Sequence, residues 1–149
     1  MTDSEPDPTF SISFVTLGVA DLARSRAFYA ELGFREHTRS NAHVVFYDLG
    51  GQVFALFPRS ALAEDAGVDA APPGSGIGFS LARNVAKESD VRQLLDRAED
   101  AGGRITQEAS SPPWGGVRGY FTDPDGFAWE IVWNPAMELD VDGRVFFKD

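Results

Sequence analysis

Glu130 is the residue of this chain whose surroundings most call for a chemical explanation. It lies between Trp129 and Ile131 in the run Phe127-Ala128-Trp129-Glu130-Ile131-Val132-Trp133. Side chains alternate along a strand, so Ala128, Glu130 and Val132 share one face while Trp129, Ile131 and Trp133 share the other. A carboxylate among apolar neighbours is costly unless it is paired, liganded or wet. Glu130 is therefore a candidate metal ligand, cation site or proton carrier, or else an acid held by an arginine or by water. His43 is the second candidate. If its strand runs along the same cavity, His43, Val45 and Tyr47 share a face, and His43 is placed to act as a base or ligand beside Glu130. The competing reading is a surface or packed histidine. His37, between Glu36 and Thr38 and two residues from Arg39, carries a weaker signal. Arg118 is expected to pair with Glu130, taking the place of a metal as its charge partner, or to hold an anionic substrate. Trp114, in Pro112-Pro113-Trp114-Gly115-Gly116, offers either a flat apolar wall for a ligand or a cap on the core.

Other chemistries are absent. The chain has no cysteine, which removes disulfides, thiolate nucleophiles and cysteine-bound zinc. No nucleophile elbow, phosphate-binding loop or H-E-x-x-H motif occurs. Gly74-Ser75-Gly76-Ile77-Gly78 is glycine-rich, but it precedes a strand instead of joining a strand to a helix.

The elements that must position these residues are legible from patterning. Asp123-Pro124-Asp125-Gly126 is turn chemistry between two apolar strands, predicting a tight hairpin over residues 119–133. Asp21 caps a helix that runs to Leu32, with Gly33 just past its end. Strands are expected at residues 34–39, 43–49 and 52–57, the last two joined at Gly50-Gly51. Residues 61–66 suggest a short helix, and residues 67–76, with Pro72-Pro73, read as a linker. The order then repeats. A strand at 77–82 precedes a helix capped by Ser89 or Asp90, with Val91, Leu94, Leu95 and Ala98 as its apolar stripe. Strands follow at 104–108, 119–122 and 127–133. The division is a loose tail at 1–9, one domain at 10–135 with halves at 10–58 and 76–135, and a second tail at 136–149. In that second tail Val145-Phe146-Phe147 is expected to pack on the domain or a partner.

Two stretches resemble a known family. The turn, the strand and its embedded Glu130 are similar to the C-terminal signature of the vicinal oxygen chelate superfamily, which includes glyoxalase I, extradiol dioxygenases and bleomycin-resistance proteins. The strand at 12–19 followed by Asp21-Leu22, Phe28-Tyr29 and Leu32-Gly33-Phe34 is similar to its N-terminal signature. The resemblance implies an α+β fold of two paired βαβββ units whose curved sheets enclose a cup. It also implies that Glu130 matches a family metal ligand. Metal-binding members carry His or Gln near the position of Phe14, and a second His where this chain has Gly76 and Gly78. Phenylalanine and glycine side chains give a metal no donor, so no metal or other cofactor is expected. The resulting expectation is a small organic ligand held in the cup by Phe14, Tyr47, Trp114, Arg118 and Glu130. The alternative is a lyase, isomerase or dioxygenase-type enzyme using Glu130, with His43, as acid or base or through an atypical metal site. On this register Phe14→His would set a second donor opposite Glu130. A homodimer is expected by analogy.

Composition narrows the partners. The 149 residues suffice for one domain with one core. Thirteen basic against twenty-three acidic residues give a net charge of -10, which opposes binding to nucleic acid or to anionic lipid. It favours a cationic ligand or simply solubility. No apolar run has the ~20 residues of a membrane span. The N-terminus lacks the regions of a signal peptide, so the expected compartment is the cytoplasm.

Overall fold

A computed structural model describes residues 11–72 and 78–149. The first half contains β1 (Phe14–Val19), α1 (Leu22–Glu31), β2 (Val45–Asp48), β3 (Val53–Pro58) and α2 (Arg59–Ala66). The second contains β4 (Leu81–Asn84), α3 (Glu88–Asp100), β5 (Arg104–Ser110), β6 (Val117–Thr122) and β7 (Ala128–Trp133), and a short hairpin of β8 (Met137–Leu139) and β9 (Val145–Phe147) ends the chain. One sheet has the order β1-β3-β2 and another β4-β7-β6-β5. In each, the strand before the helix lies parallel to the last strand, β1 on β3 and β4 on β7. The fold is α+β, and the internal repeat is one of topology.

Each helix follows from its residues. The Asp21 side chain accepts the amide of Arg24 and so caps α1, and Gly33 follows its end at φ 95°. α3 starts two or three residues earlier than its polar residues suggest. Lys87 occupies the cap without a side-chain bond, and Ser89 and Asp90 fall inside the helix, where Glu88 and Asp90 face the positive end of its dipole. Val91, Leu95 and Ala98 of its stripe are buried, and Leu94 packs partly against them.

One expected strand does not form. Residues 34–39 lie beside β2 with a single ladder-like bond, His37 N–H to Phe46 O at 2.8 Å. Side chains take the place of the rest. Ser40 Oγ accepts the Phe46 amide at 2.9 Å, and Asn41 Oδ1 accepts the amides of His43 and Val44 at 2.7 and 3.2 Å. Short polar side chains that bond nearby backbone compete with ladder formation, and here they turn the chain. The C-terminal tail folds into a hairpin whose Val145, Phe146 and Phe147 are exposed; of the two expected covers, the domain does not supply one, which leaves a partner. Residues 1–10 and 73–77, which include the expected N-terminal tail, Gly76 and the end of the linker, fall outside the described residues.

The two halves share one core. Tyr29 sits at its centre, with ring centroids 5.2 Å from Phe54, 5.4 Å from Phe34 and 6.1 Å from Trp129. Phe28 from the first half meets Phe121 from the second. The Asp-Pro-Asp-Gly turn supplies the polar joint. Asp123 Oδ1 accepts the amides of Asp125 and Phe127, both at 2.9 Å, while Oδ2 accepts the Tyr29 hydroxyl at 2.7 Å. Trp129 Nε1 in turn donates to the Tyr29 oxygen at 3.2 Å. Asp125 reaches across to the entry of α1. Its Oδ1 accepts the Ala20 amide at 2.9 Å, with Arg24 and Arg59 beside it at 3.3 and 3.4 Å, and its Oδ2 accepts Ser25 Oγ at 3.1 Å.

That joint gives a stability prediction. Asp125 has a side chain only 1% exposed, and its removal strands the buried Ser25 hydroxyl and the Ala20 amide. Asp125→Ala is expected to cost about 2–4 kcal/mol in urea unfolding, the scale of losing partners for buried polar groups. Asp21→Ala, which removes only a local cap, is expected to cost about 1 kcal/mol. Equal losses would mean that the turn is not the joint between the halves.

Candidate functional site

Alternation along the strands gives each sheet a core face and an open face. On β7 the core side is Trp129 and Ile131, leaving Glu130 half-buried on the open side. On β6 the open side carries Arg118 and Tyr120. The hairpin register places Tyr120 directly opposite Glu130, with Ala82 of β4 on the other flank. The Tyr120 hydroxyl donates to Glu130 Oε2 at 2.8 Å. The hydrogen bond to Glu130 pushes the Tyr120 phenol above its ordinary value near 10, with burial adding to it and Arg118 opposing it. Tyr120 was absent from the candidates read from sequence. The hairpin arithmetic held the signal: once Thr122 faces Ala128, Tyr120 must face Glu130.

Arg118 does not pair with Glu130. Its Nη1 donates to Ser110 Oγ at 2.8 Å, so a tyrosine and not an arginine is the partner of the carboxylate. Trp114 is about half exposed on a loop folded against the end of β7, where a Cβ on Gly116 would come within 2.4 Å of Trp133 O. Gly116 therefore has to be glycine for backbone packing, and its φ of 79° agrees. Trp133 lies three residues beyond Glu130, roughly 10 Å along the strand. His43 precedes β2 in the Asn41 turn and is exposed. Tyr47 faces the opposite way from the expected one. It is 1% exposed, stacked on Phe54 at 5.5 Å, in the core. Burial raises its phenol to about 12, and its hydroxyl has no hydrogen-bond partner. The residues facing the open side of β2 are Phe46 and Asp48.

Phe14 is on the open face of β1, and there the structure has a cavity of about 350 Å³. Phe14 and Phe46 meet edge to face across it, with centroids 6.4 Å apart and planes at 82°. His37, Arg39, Asp48 and Val53 complete most of the wall. Glu130 lines neither this cavity nor a second one between α1 and the end of α3. Within one chain, Phe14 and Glu130 are thus on separate open faces, and Phe14→His would not present a donor to Glu130. The residues present do not fit the metal that the fold suggests. On β1, β3 and β4 the open positions next to the strand centres are Thr16, Ala55 and Ala82, against Glu130 on β7. Gly78 has no donor side chain, and among the described residues no group of three His, Asp or Glu side chains could hold an ion.

Comparison with known proteins agrees with the fold. The chain belongs to the Glyoxalase/Bleomycin resistance protein/Dioxygenase superfamily, whose family model matches residues 11–131. A glyoxalase-related enzyme from Fulvimarina pelagi is 40% identical, with a TM-score of 0.85 over 93% of this chain and 99% of that one. A glyoxalase/bleomycin resistance protein/dioxygenase from Nocardioides is 25% identical, with a TM-score of 0.70 over 88% of this chain and 86% of that one. A family enzyme from Burkholderia phytofirmans, 22% identical with a TM-score of 0.72 over 81% of this chain and 96% of that one, shares the fold. None of the curated proteins matches the chain. Among the described residues no helix is long and apolar enough to cross a membrane.

The Tyr120–Glu130 pair is testable by titration. Burial raises Tyr29 and Tyr47 further than their neighbour raises Tyr120, so the first of the three phenols to ionise in the folded protein is Tyr120. Phenolate absorbance should show one group ionising above 10, moving down in Glu130→Gln and vanishing in Tyr120→Phe. An unmoved first transition in Glu130→Gln would break the assignment.

Proposed function

We propose that the protein binds a small organic molecule on the open face of its first sheet, without a metal ion. The observation that carries this reading is the cavity of about 350 Å³ beside Phe14 and Phe46, within the usual range for small-ligand sites. By the family resemblance Phe14 is near the place where metal-binding members carry His or Gln, and its ring lines the cavity as apolar wall. The family name covers both drug-binding proteins and enzymes, and the donor set here favours binding. The expected outcome of elemental analysis on tag-free protein purified without chelator is well under one equivalent of zinc, nickel, iron or manganese. A stoichiometric ion that is lost in Glu130→Ala would overturn the reading.

The binding unit in this proposal is a homodimer. Phe14 and Glu130 lie on different open faces of one chain, and a second copy is the simplest means of closing both. Exposed Phe79, Phe146 and Phe147 provide apolar surface for it. Sedimentation at micromolar concentration should give about twice the 16.2 kDa chain mass, and a monomer would oppose it.

A second reading rests on the Tyr120–Glu130 hydrogen bond. A carboxylate and a phenol joined at 2.8 Å on an open face are a proton donor and acceptor in reach of a substrate. In that reading Glu130 takes a proton and Tyr120 holds it in place. Turnover of any carbonyl substrate that is lost in Glu130→Gln, while ligand affinity persists, would favour the enzyme over the binding protein.

A further inference from the structure

The polar groups of the Phe14 cavity are unevenly disposed, and their disposition specifies a ligand class for the site proposed above, on which this inference rests. Across the floor the strands run β1, β3, β2, with Phe14, Val53 and Phe46 exposed to the cavity in that order. Beyond β2 the chain at residues 37–39 forms the far wall, fixed there by His37 N–H to Phe46 O at 2.8 Å. The Arg39 amide donates to His37 Nδ1 at 3.2 Å. With Nδ1 serving as acceptor, the proton of the neutral ring is on Nε2, so the ring's free nitrogen is a donor. The Arg39 guanidinium has no carboxylate or hydrogen-bond partner among the described residues, unlike Arg24, Arg26 and Arg59. Gln52 uses one of its two side-chain N–H groups on Ile12 O at 3.0 Å. The one acid in the wall, Asp48, accepts the Gly50 amide at 2.8 Å at the hairpin end of β2.

We propose that this cavity takes an aromatic monocarboxylic acid, its ring packed against the open side of the Phe14–Phe46 pair and its carboxylate on Arg39 and the His37 Nε2–H. The edge-to-face phenyl pair suits a flat ring, which gains from both ring edges and faces. A free guanidinium beside a second donor suits a carboxylate, because charge-assisted hydrogen bonds are the stronger ones. Asp48 sets the limit at one negative charge, since a second carboxylate at the hairpin end would meet a like charge. The local arrangement outranks the net charge of -10, because the fields of distant exposed charges are screened within about 8 Å at physiological salt.

The test uses 2-naphthoate, 2-naphthamide, 2-naphthylmethylamine and naphthalene-2,6-dicarboxylate, titrated into the full chain by calorimetry. The expected order is the monoacid first, with the amide, the amine and the diacid each weaker by about tenfold or more. Arg39→Gln should weaken 2-naphthoate by about tenfold or more and leave the amide unchanged, with Arg39→Lys in between. Arg39 is exposed, and the melting temperature of each variant should match the parent. If the four compounds bind alike and all weaken in Phe14→Ala, the small-molecule cavity stands and the acid class is overturned. If none binds, the cavity reading and the acid class fall together. Unchanged affinity of 2-naphthoate in Arg39→Gln also overturns the proposal.

Discussion

The structure depends on the docking of one turn. The three-stranded first sheet and the four-stranded second share no hydrogen-bonded strand pair among the described residues, so the halves are joined through side chains. Asp123-Pro124-Asp125-Gly126 closes the β6–β7 hairpin and, with the same residues, grips the first half. Asp123 ties the turn to itself and to Tyr29, while Asp125 takes up the donors at the start of α1. Burial raises the Asp123 carboxyl above its ordinary value near 3.8, opposed by the hydrogen bonds from Tyr29, Phe127 and Asp125. That balance marks a buried polar joint whose members have to be satisfied together. Around it the aromatic cluster of Tyr29, Phe34, Phe54, Phe121 and Trp129 forms one core from both halves.

The joint decides where the site is. Both sheets turn their large apolar residues toward the shared core, which leaves Phe14, Phe46 and Asp48 on one open face and Tyr120 and Glu130 on another. The first has a cavity with aromatic walls and a free guanidinium. The second has the Tyr120 phenol donating to the Glu130 carboxylate. Among the described residues neither face brings together three His, Asp or Glu side chains that could hold a metal.

The fold was legible where local chemistry and the global fold agree. Asp21 and Gly33 bound α1 as their cap roles require, Gly50-Gly51 makes the β2–β3 turn, and the stripe on α3 is the buried one. The strand at 34–39 misled because Phe34 is apolar, whereas the decisive bonds come from Ser40 and Asn41, whose competition with the ladder no hydrophobic pattern reveals. The site was half legible. Glu130 and Phe14 both face outward from their sheets, but on faces that a sequence cannot place in space relative to each other. Tyr47 was misread because alternation puts it on one face with Val45 without saying that this face is the core, and the turn at Asn41 takes His43 out of that alternation. Arg118 looked like the partner of Glu130 by charge. Register gave that role to Tyr120, whose pairing is a consequence of the turn and not of charge.

The central claim is that ligand binding belongs to the Phe14 face and is independent of Glu130. Backbone amide shifts, followed by NMR as a small aromatic ligand is titrated into the protein, test it most directly. The account predicts that the shifts concentrate at Phe14, His37, Arg39, Phe46, Gly51 and Val53, with the same pattern in Glu130→Gln. Shifts confined to Ala82, Tyr120 and Glu130, and abolished in Glu130→Gln, would contradict it.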